Sequence, residues 1–305
     1  MFLRTAFRGV MAGVLVTGAA CRGERRVSTA TNAAIALVDD AGDTVRLARP
    51  ATRVVSLVPS ATETVVAIGA TERIVGRTRF DVAAAVAKIP SVGGTIDASV
   101  ESIIALHPDL VIGWGKDIQQ TVRARLASID VPVFAMRAED TSDVFRGIQN
   151  LGKMLARDSA AVSLAKSIRA TLDSVRSAVA NRPPRDVMFV IYPDPAMTAG
   201  PHTFIDELIG LAGGRSVFHD MPAEWPTVSI EEVVRRAPDL LIVSQTDSTS
   251  ALAQFRHRAG WRDLPAVRGG RVATVSADLT QRPGARIGEA ARALQLAIHP
   301  ETRPR

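Results

Sequence analysis

Apolar positions alternate between two patterns along most of the chain. Short, mostly apolar runs occur at 53–58, 109–113, 131–135, 186–192, 239–243 and 271–275. Runs of this kind suit strands covered on both faces of a sheet. Between them, apolar residues recur every three or four positions, the period of an amphipathic helix. The run Arg53-Val54-Val55-Ser56-Leu57-Val58 reads as a strand ending at Pro59, and Ser60-Ala61-Thr62-Glu63 has the form of a capping box that opens a helix. Further helices are expected around 122–129, over 141–155, from Asp158 as N-cap to 181 before Pro183-Pro184, and over 288–298. In the helix at 158–181, Leu164, Ile168, Leu172, Val175 and Val179 form one apolar stripe. At 1.5 Å per residue, that helix reaches roughly 35 Å, the width of a small domain.

The chain contains one unit twice. Val100-Glu101-Ser102-Ile103-Ile104-Ala105-Leu106-His107-Pro108-Asp109-Leu110-Val111-Ile112 matches Ile230-Glu231-Glu232-Val233-Val234-Arg235-Arg236-Ala237-Pro238-Asp239-Leu240-Leu241-Ile242 without a gap. Ser99 and Ser229 stand as N-caps, and Pro108 and Pro238 stop each helix because proline cannot continue it. A weaker match pairs Glu63 and Gly69 with Glu207 and Gly213. One repeated helix–strand unit at this separation indicates two related α/β lobes. The expected fold is therefore α/β, with two pseudo-symmetric lobes of mostly parallel sheet joined by one long helix. The lobes are expected at 35–140 and 183–305, with connecting helices over 141–182 that include the spine helix. The alternative, a surface helix packed on one lobe, is disfavoured by the repeat on either side.

The N-terminus changes the setting. Arg4 and Arg8 precede an apolar stretch at 10–20 that is too short to span a membrane and right for a signal peptide, expected over 1–20. Cys21 follows Gly18-Ala19-Ala20 and is the only cysteine, so no disulfide can form within the chain. It looks like the lipid-modified cysteine of a bacterial lipoprotein, the alternative being an ordinary secretory signal with an incidental cysteine. Residues 21–34 read as a polar tether. The net charge of +6 and pI near 10.3 raise nucleic acid as a partner, but the arginines are scattered among acids and lysine occurs only at Lys88, Lys116, Lys153 and Lys166. His107, His202, His219, His257 and His299 include no pair at zinc-ligand spacing, and no G-x-S-x-G, P-loop or nucleophilic cysteine is present. An exported metallohydrolase is thereby disfavoured against a binding protein, as is a zinc or manganese carrier.

The segments 53–63 and 106–112 together resemble the helical-backbone class of periplasmic binding proteins, which serve importers of cobalamin, haem and ferric siderophores. The resemblance runs over about residues 35–300. It implies a substrate-catching component that is not an enzyme and has no cofactor or metal. Its partners would be an ABC permease with its ATPase in the inner membrane. Its place would be the periplasm or cell envelope, with a lipid anchor at Cys21. The cobalamin-binding branch is the most similar, which implies cobalamin as the transported ligand. Onto that branch's pattern fall the cleft proline at Pro59 and aromatics at Phe80, Trp114, Tyr192 and Trp225, followed by Pro226. The acid and base that face the corrin side chains fall on Asp278 and Arg282. Gly94-Thr95-Ile96 and Leu279 depart from it, standing where aromatics are common. Glu101 and Glu231 match the branch's paired knobs that dock on permease arginines.

These residue types suit the chemistry. A corrin is a broad, flat, apolar ring fringed with amides, and needs aromatic walls with a few polar groups at the rim. Aromatics make up only 4% of the chain, so their fall at several expected strand ends is informative. Taken singly, each has a plainer reading. Phe80, Tyr192 and Trp225 suit core or rim packing, and Asp278 with Arg282 suits a surface ion pair of little energy. Glu101 and Glu231 would favour their helix N-termini by roughly 0.3–1 kcal/mol. Tyr192, the single tyrosine, would also serve as an axial ligand to haem iron, so haem and ferric siderophore remain open beside the corrinoid.

Overall fold

The computed structural model describes residues 35–115, 120–245 and 248–302. The expected signal peptide, tether and lipidation site at Cys21 lie outside the described residues. A hairpin of β1 (Ile35–Val38) and β2 (Thr44–Leu47) comes first; the sequence reading did not anticipate it. The first lobe then comprises β3 (Val54–Ser56), α1 (Pro59–Ala67), β4 (Ile74–Gly76), α2 (Val100–Ala105), β5 (Leu110–Trp114), α3 (Gln120–Ala127) and β6 (Val133–Met136). Its sheet is parallel throughout, in the order β4-β3-β5-β6. Two helices follow, α4 (Thr141–Met154) and α5 (Asp158–Val179). The second lobe opens with β7 (Arg185–Pro193), β8 (Ala196–Thr198), α6 (Phe204–Leu211), β9 (Gly214–Ser216), β10 (Thr227–Val228) and α7 (Ile230–Arg236). It closes with β11 (Leu240–Ser244), α8 (Ser248–His257), α9 (Pro265–Arg268), β12 (Val272–Val275), α10 (Ala277–Thr280) and α11 (Ile287–Ile298).

The two sheets repeat one another. In the second lobe β9, β7, β11 and β12 pair in parallel in the same order as β4, β3, β5 and β6. The additions are β8, antiparallel along the last residues of β7, and β10, antiparallel to β8. The repeat reaches the backbone. Ser99 Oγ accepts from the Ser102 N–H at 3.1 Å, and Ser229 Oγ accepts from the Glu232 N–H at 3.2 Å, the expected caps. His107 and Ala237, each just before its proline, share a left-handed φ of 46°. Gly69 and Gly213, with φ of 70° and 81°, lie just past the ends of α1 and α6, where a left-handed residue closes a helix and glycine alone meets no steric cost.

Two expected starts differ. The capping box at Ser60–Glu63 does not form: Val58 is the N-cap of α1, without a side-chain bond, and Pro59 occupies the first turn. Proline there lacks the N–H a cap would satisfy and has its φ preset, so the helix begins ahead of Ser60. The Ser60 carbonyl accepts from Thr64 Oγ1 at 2.8 Å inside the helix, and Glu63 is engaged elsewhere. Asp158 is likewise the first residue of α5, with Arg157 at the cap position.

Helix α5 joins the lobes. Ile168, Leu172, Val175 and Val179 of the expected stripe are buried, with Ala161 and Ala165 beside them. One apolar cluster runs from Val54, Leu110 and Phe134 of the first sheet through Ile148 and Leu172 to Ile205, Phe189, Ile242 and Leu294 of the second lobe. The outer face of the first sheet packs Val55 and Val111 against Ile103 and Leu126. That of the second packs Met188 and Leu241 against Val233, Phe255 and Trp261. Both sheets are thus covered on both faces, which is why their strands read as continuous apolar runs.

Candidate functional site

Parallel strands all end on the same side of a sheet, and in open α/β folds the crevice beyond those ends is where ligands bind. Here the segments that follow the strands of one sheet meet those of the other. Arg282, beyond β12, reaches Glu63 of α1, Nη1 to Oε1 at 3.1 Å, and donates to the Phe80 carbonyl beyond β4 at 3.0 Å. Arg137, just past β6, lies 3.8 Å from Glu224 in the segment before β10. A Cβ on Gly284 would stand 2.9 Å from the Ser60 carbonyl oxygen, so only glycine allows this approach of one lobe to the first turn of α1.

The expected wall residues take the following places. Pro59 is the first residue of α1, half-buried where β3 gives way to helix. Trp114 ends β5 and lines a small hollow between the lobes with Ser60, Arg137, Pro283 and Gly284. Phe80 is 47% exposed, Tyr192 60% and Trp225 37%; among the described residues these are the aromatics left exposed, Phe80 in the loop beyond β4, Tyr192 near the end of β7 and Trp225 just ahead of β10. Phe80 is held in place. The Arg79 guanidinium stacks 4.8 Å from its ring centre, and Arg79 is anchored by Asp97 at 2.9 Å and by its own N–H to the Gly93 carbonyl at 2.7 Å. The Arg79 hydrogen bond holds the Asp97 carboxyl below its ordinary value. The same tie joins the loop of Phe80 to the loop carrying Ile96, which is also exposed.

The polar rim is more built than the sequence implied. Asp278 Oδ1 lies 3.1 Å from Arg282 Nη2, as a neighbouring pair should, yet Arg282 is only 15% exposed because it crosses to the other lobe. Its partner Glu63 was read as a capping residue, and the reading missed its role here. Burial pushes the Glu63 carboxyl above its ordinary value, against the lowering pull of Arg282 and Arg286. The signal that could have found it is the match of Glu63 with Glu207, since Glu207 also faces another element, accepting from the Thr141 N–H at 2.9 Å.

Glu101 and Glu231 are exposed in the first turns of α2 and α7, one in each lobe. Glu101 accepts from Ser99 Oγ at 3.3 Å. Among the described residues neither forms an ion pair, whereas the adjacent Glu232 is engaged by Arg235 and Arg236.

A hollow of about 820 Å³ lies elsewhere, at the amino ends of β7, β11 and β12, between Arg185, Asp239, Arg271 and Leu296. Among the described residues no group of three His, Cys, Asp or Glu is placed to hold a metal ion, and no helix is long and apolar enough to cross a membrane.

Comparison with known proteins agrees with the fold. The family model described as periplasmic binding protein matches residues 54–279. The uncharacterized ABC transporter substrate-binding lipoprotein YvrC of Bacillus subtilis (strain 168) is 27% identical over 304 residues, 96% of each chain. The vitamin B12-binding protein of Yersinia pestis (strain Pestoides F) is 29% identical over 202 residues, 66% of this chain and 72% of that one. Among solved structures, a possible iron-binding (periplasmic solute-binding) protein of Staphylococcus epidermidis ATCC 12228 matches with a TM-score of 0.74 and 26% identity, over 82% of this chain and 100% of that one.

Proposed function

The chain belongs to the periplasmic binding protein family, and from that membership we propose that it captures cobalamin, or a related corrinoid, for an ABC importer. The observation that carries the ligand is the distribution of aromatics. Phe80 of the first lobe and Tyr192 and Trp225 of the second stay exposed while the other described phenylalanines and Trp261 are buried. Large apolar side chains kept in water on two facing walls gain their burial when a broad, flat ligand enters between them. Pro59 and Trp114 complete the wall, and Asp278 and Arg282 supply donors and acceptors for an amide-fringed rim. The likeness to a vitamin B12-binding protein supports the same choice.

The ligand then passes to a permease. Glu101 and Glu231, one per lobe and without cationic partners among the described residues, suit a two-fold arrangement of cations on that permease. A substrate-binding lipoprotein among the relatives supports a lipid anchor at Cys21 and a place in the cell envelope.

The second reading is an iron-bearing ligand, haem or a ferric siderophore. The likeness to a possible iron-binding protein of Staphylococcus epidermidis favours it, as does the exposed phenol of Tyr192, a group able to ligate haem iron. Calorimetric titration separates the two. Heat with cyanocobalamin and none with haemin or a ferric siderophore supports the corrinoid; the opposite pattern moves the ligand to iron while the family assignment stands.

A further inference from the structure

We propose that Glu63 is a positioning residue of the cleft: from the first lobe it holds Arg282 of the second at the height of Phe80, where that guanidinium meets the polar rim of the ligand. The proposal rests on the reading that the cleft binds a rimmed, flat ligand. Three observations carry it. Glu63 Oε1 and Arg282 Nη1 are 3.1 Å apart across the boundary between the lobes, with their side chains 11% and 15% exposed. The second nitrogen of the same guanidinium donates to the Phe80 carbonyl at 3.0 Å, tying it to the backbone of an exposed wall residue. Gly284, two residues beyond Arg282, sits against Ser60 of the helix that carries Glu63, so the segment bearing Arg282 is pressed onto α1.

The energetics separate positioning from structure. The charged groups facing Glu63 are Arg282 and Arg286, from the segment between α10 and α11, and Asp278 of α10. Burial outweighs the attraction of the two arginines and raises the Glu63 carboxyl above its ordinary value of 4.5. A carboxyl raised in the folded state contributes stability that is fullest below the unfolded value and is lost as pH rises through the folded one. The ionised carboxylate is therefore less favourable to folding than its protonated form, and what it supplies is a fixed Arg282.

The test compares wild type, Glu63→Gln and Glu63→Asp by thermal melting and by titration with cyanocobalamin. Glu63→Gln is expected to melt no lower than wild type at neutral pH and yet to bind cyanocobalamin about tenfold more weakly, the scale of losing one charge-assisted hydrogen bond. Glu63→Asp, keeping the charge on a shorter arm, recovers part of that loss. Wild-type affinity falls as pH drops through the raised Glu63 value, and that dependence is absent in Glu63→Gln. Equal affinity in wild type and Glu63→Gln overturns the proposal. So does a fall in affinity matched by a lowered melting temperature, or failure of Glu63→Gln to fold, because each assigns Glu63 a structural role. A wild type that takes up haemin but no cyanocobalamin overturns the corrinoid reading alone, and the same three proteins compared with haemin then decide the Glu63 proposal by the same criteria. A wild type that takes up neither overturns both.

Discussion

Trp225 and Phe80 show what a single residue contributes to this cleft. Trp225 is exposed, so its removal should cost folding little and, on the proposed reading of the cleft, binding much. Trp225→Ala is expected to weaken cyanocobalamin binding by about 1–3 kcal/mol, the scale of burying one large apolar side chain, with the melting temperature nearly unchanged; calorimetry beside a melt checks both. Phe80 depends on its support. Asp97→Asn removes the charge that holds Arg79 over the ring, and weaker binding without loss of stability is the expected outcome. Pro59, Phe80, Trp114, Tyr192 and Trp225 were named from the resemblance to the cobalamin-binding branch; of these, Pro59 and Trp114 also directly follow the runs at 53–58 and 109–113 that are plain in the sequence. The partnership of Glu63 with Arg282 was not legible, because 219 positions separate the two residues. The local pattern of Ser60 and Glu63 imitates a capping box, and nothing local shows that Pro59 forestalls it.

The helices that carry the repeat depend on short-range signals, which is why they could be read. Ser99 and Ser229 each cap as their spacing predicts. Ser99→Ala and Ser229→Ala should each lower stability by about 1 kcal/mol, and in the double variant the two losses should add, since the sites lie in different lobes; denaturant melts of the single and double variants measure this. Helix α5 was legible from its stripe, and Leu172→Ala in its buried face should cost about 2–5 kcal/mol. The short strands β8 and β10 and the hairpin of β1 and β2 were missed. β10 spans only two residues and β8 three, too few for a period to show. In the hairpin, Asp39 and Asp40 bond to β6 through the Ala135 and Arg137 N–H groups, a contact between distant segments that no local pattern signals.

At the scale of the whole molecule, residues 33–305 form one compact unit, with a core that continues from one sheet to the other through α4 and α5. A stiff helix and a shared core resist hinge motion, so ligand binding should close the cleft only slightly. Solution scattering with and without ligand checks this, and a lobe rotation of tens of degrees would count against it. The same rigidity would keep Glu101 and Glu231 at a fixed separation for docking. Glu101→Arg with Glu231→Arg should leave cyanocobalamin affinity unchanged and abolish capture by a reconstituted transporter, since each reversal turns attraction to a permease cation into repulsion. Unchanged capture with a lowered melting temperature would leave these residues only their helix-start role. The central claim, that the cleft between the lobes takes a corrinoid, is tested most directly by incubating the purified protein with cyanocobalamin, desalting it and recording the absorbance spectrum. The corrin bands should elute with wild-type protein in equimolar amount and be lost from Trp225→Ala; corrin bands absent from the wild-type protein fraction, with haemin retained under the same conditions, would contradict the claim.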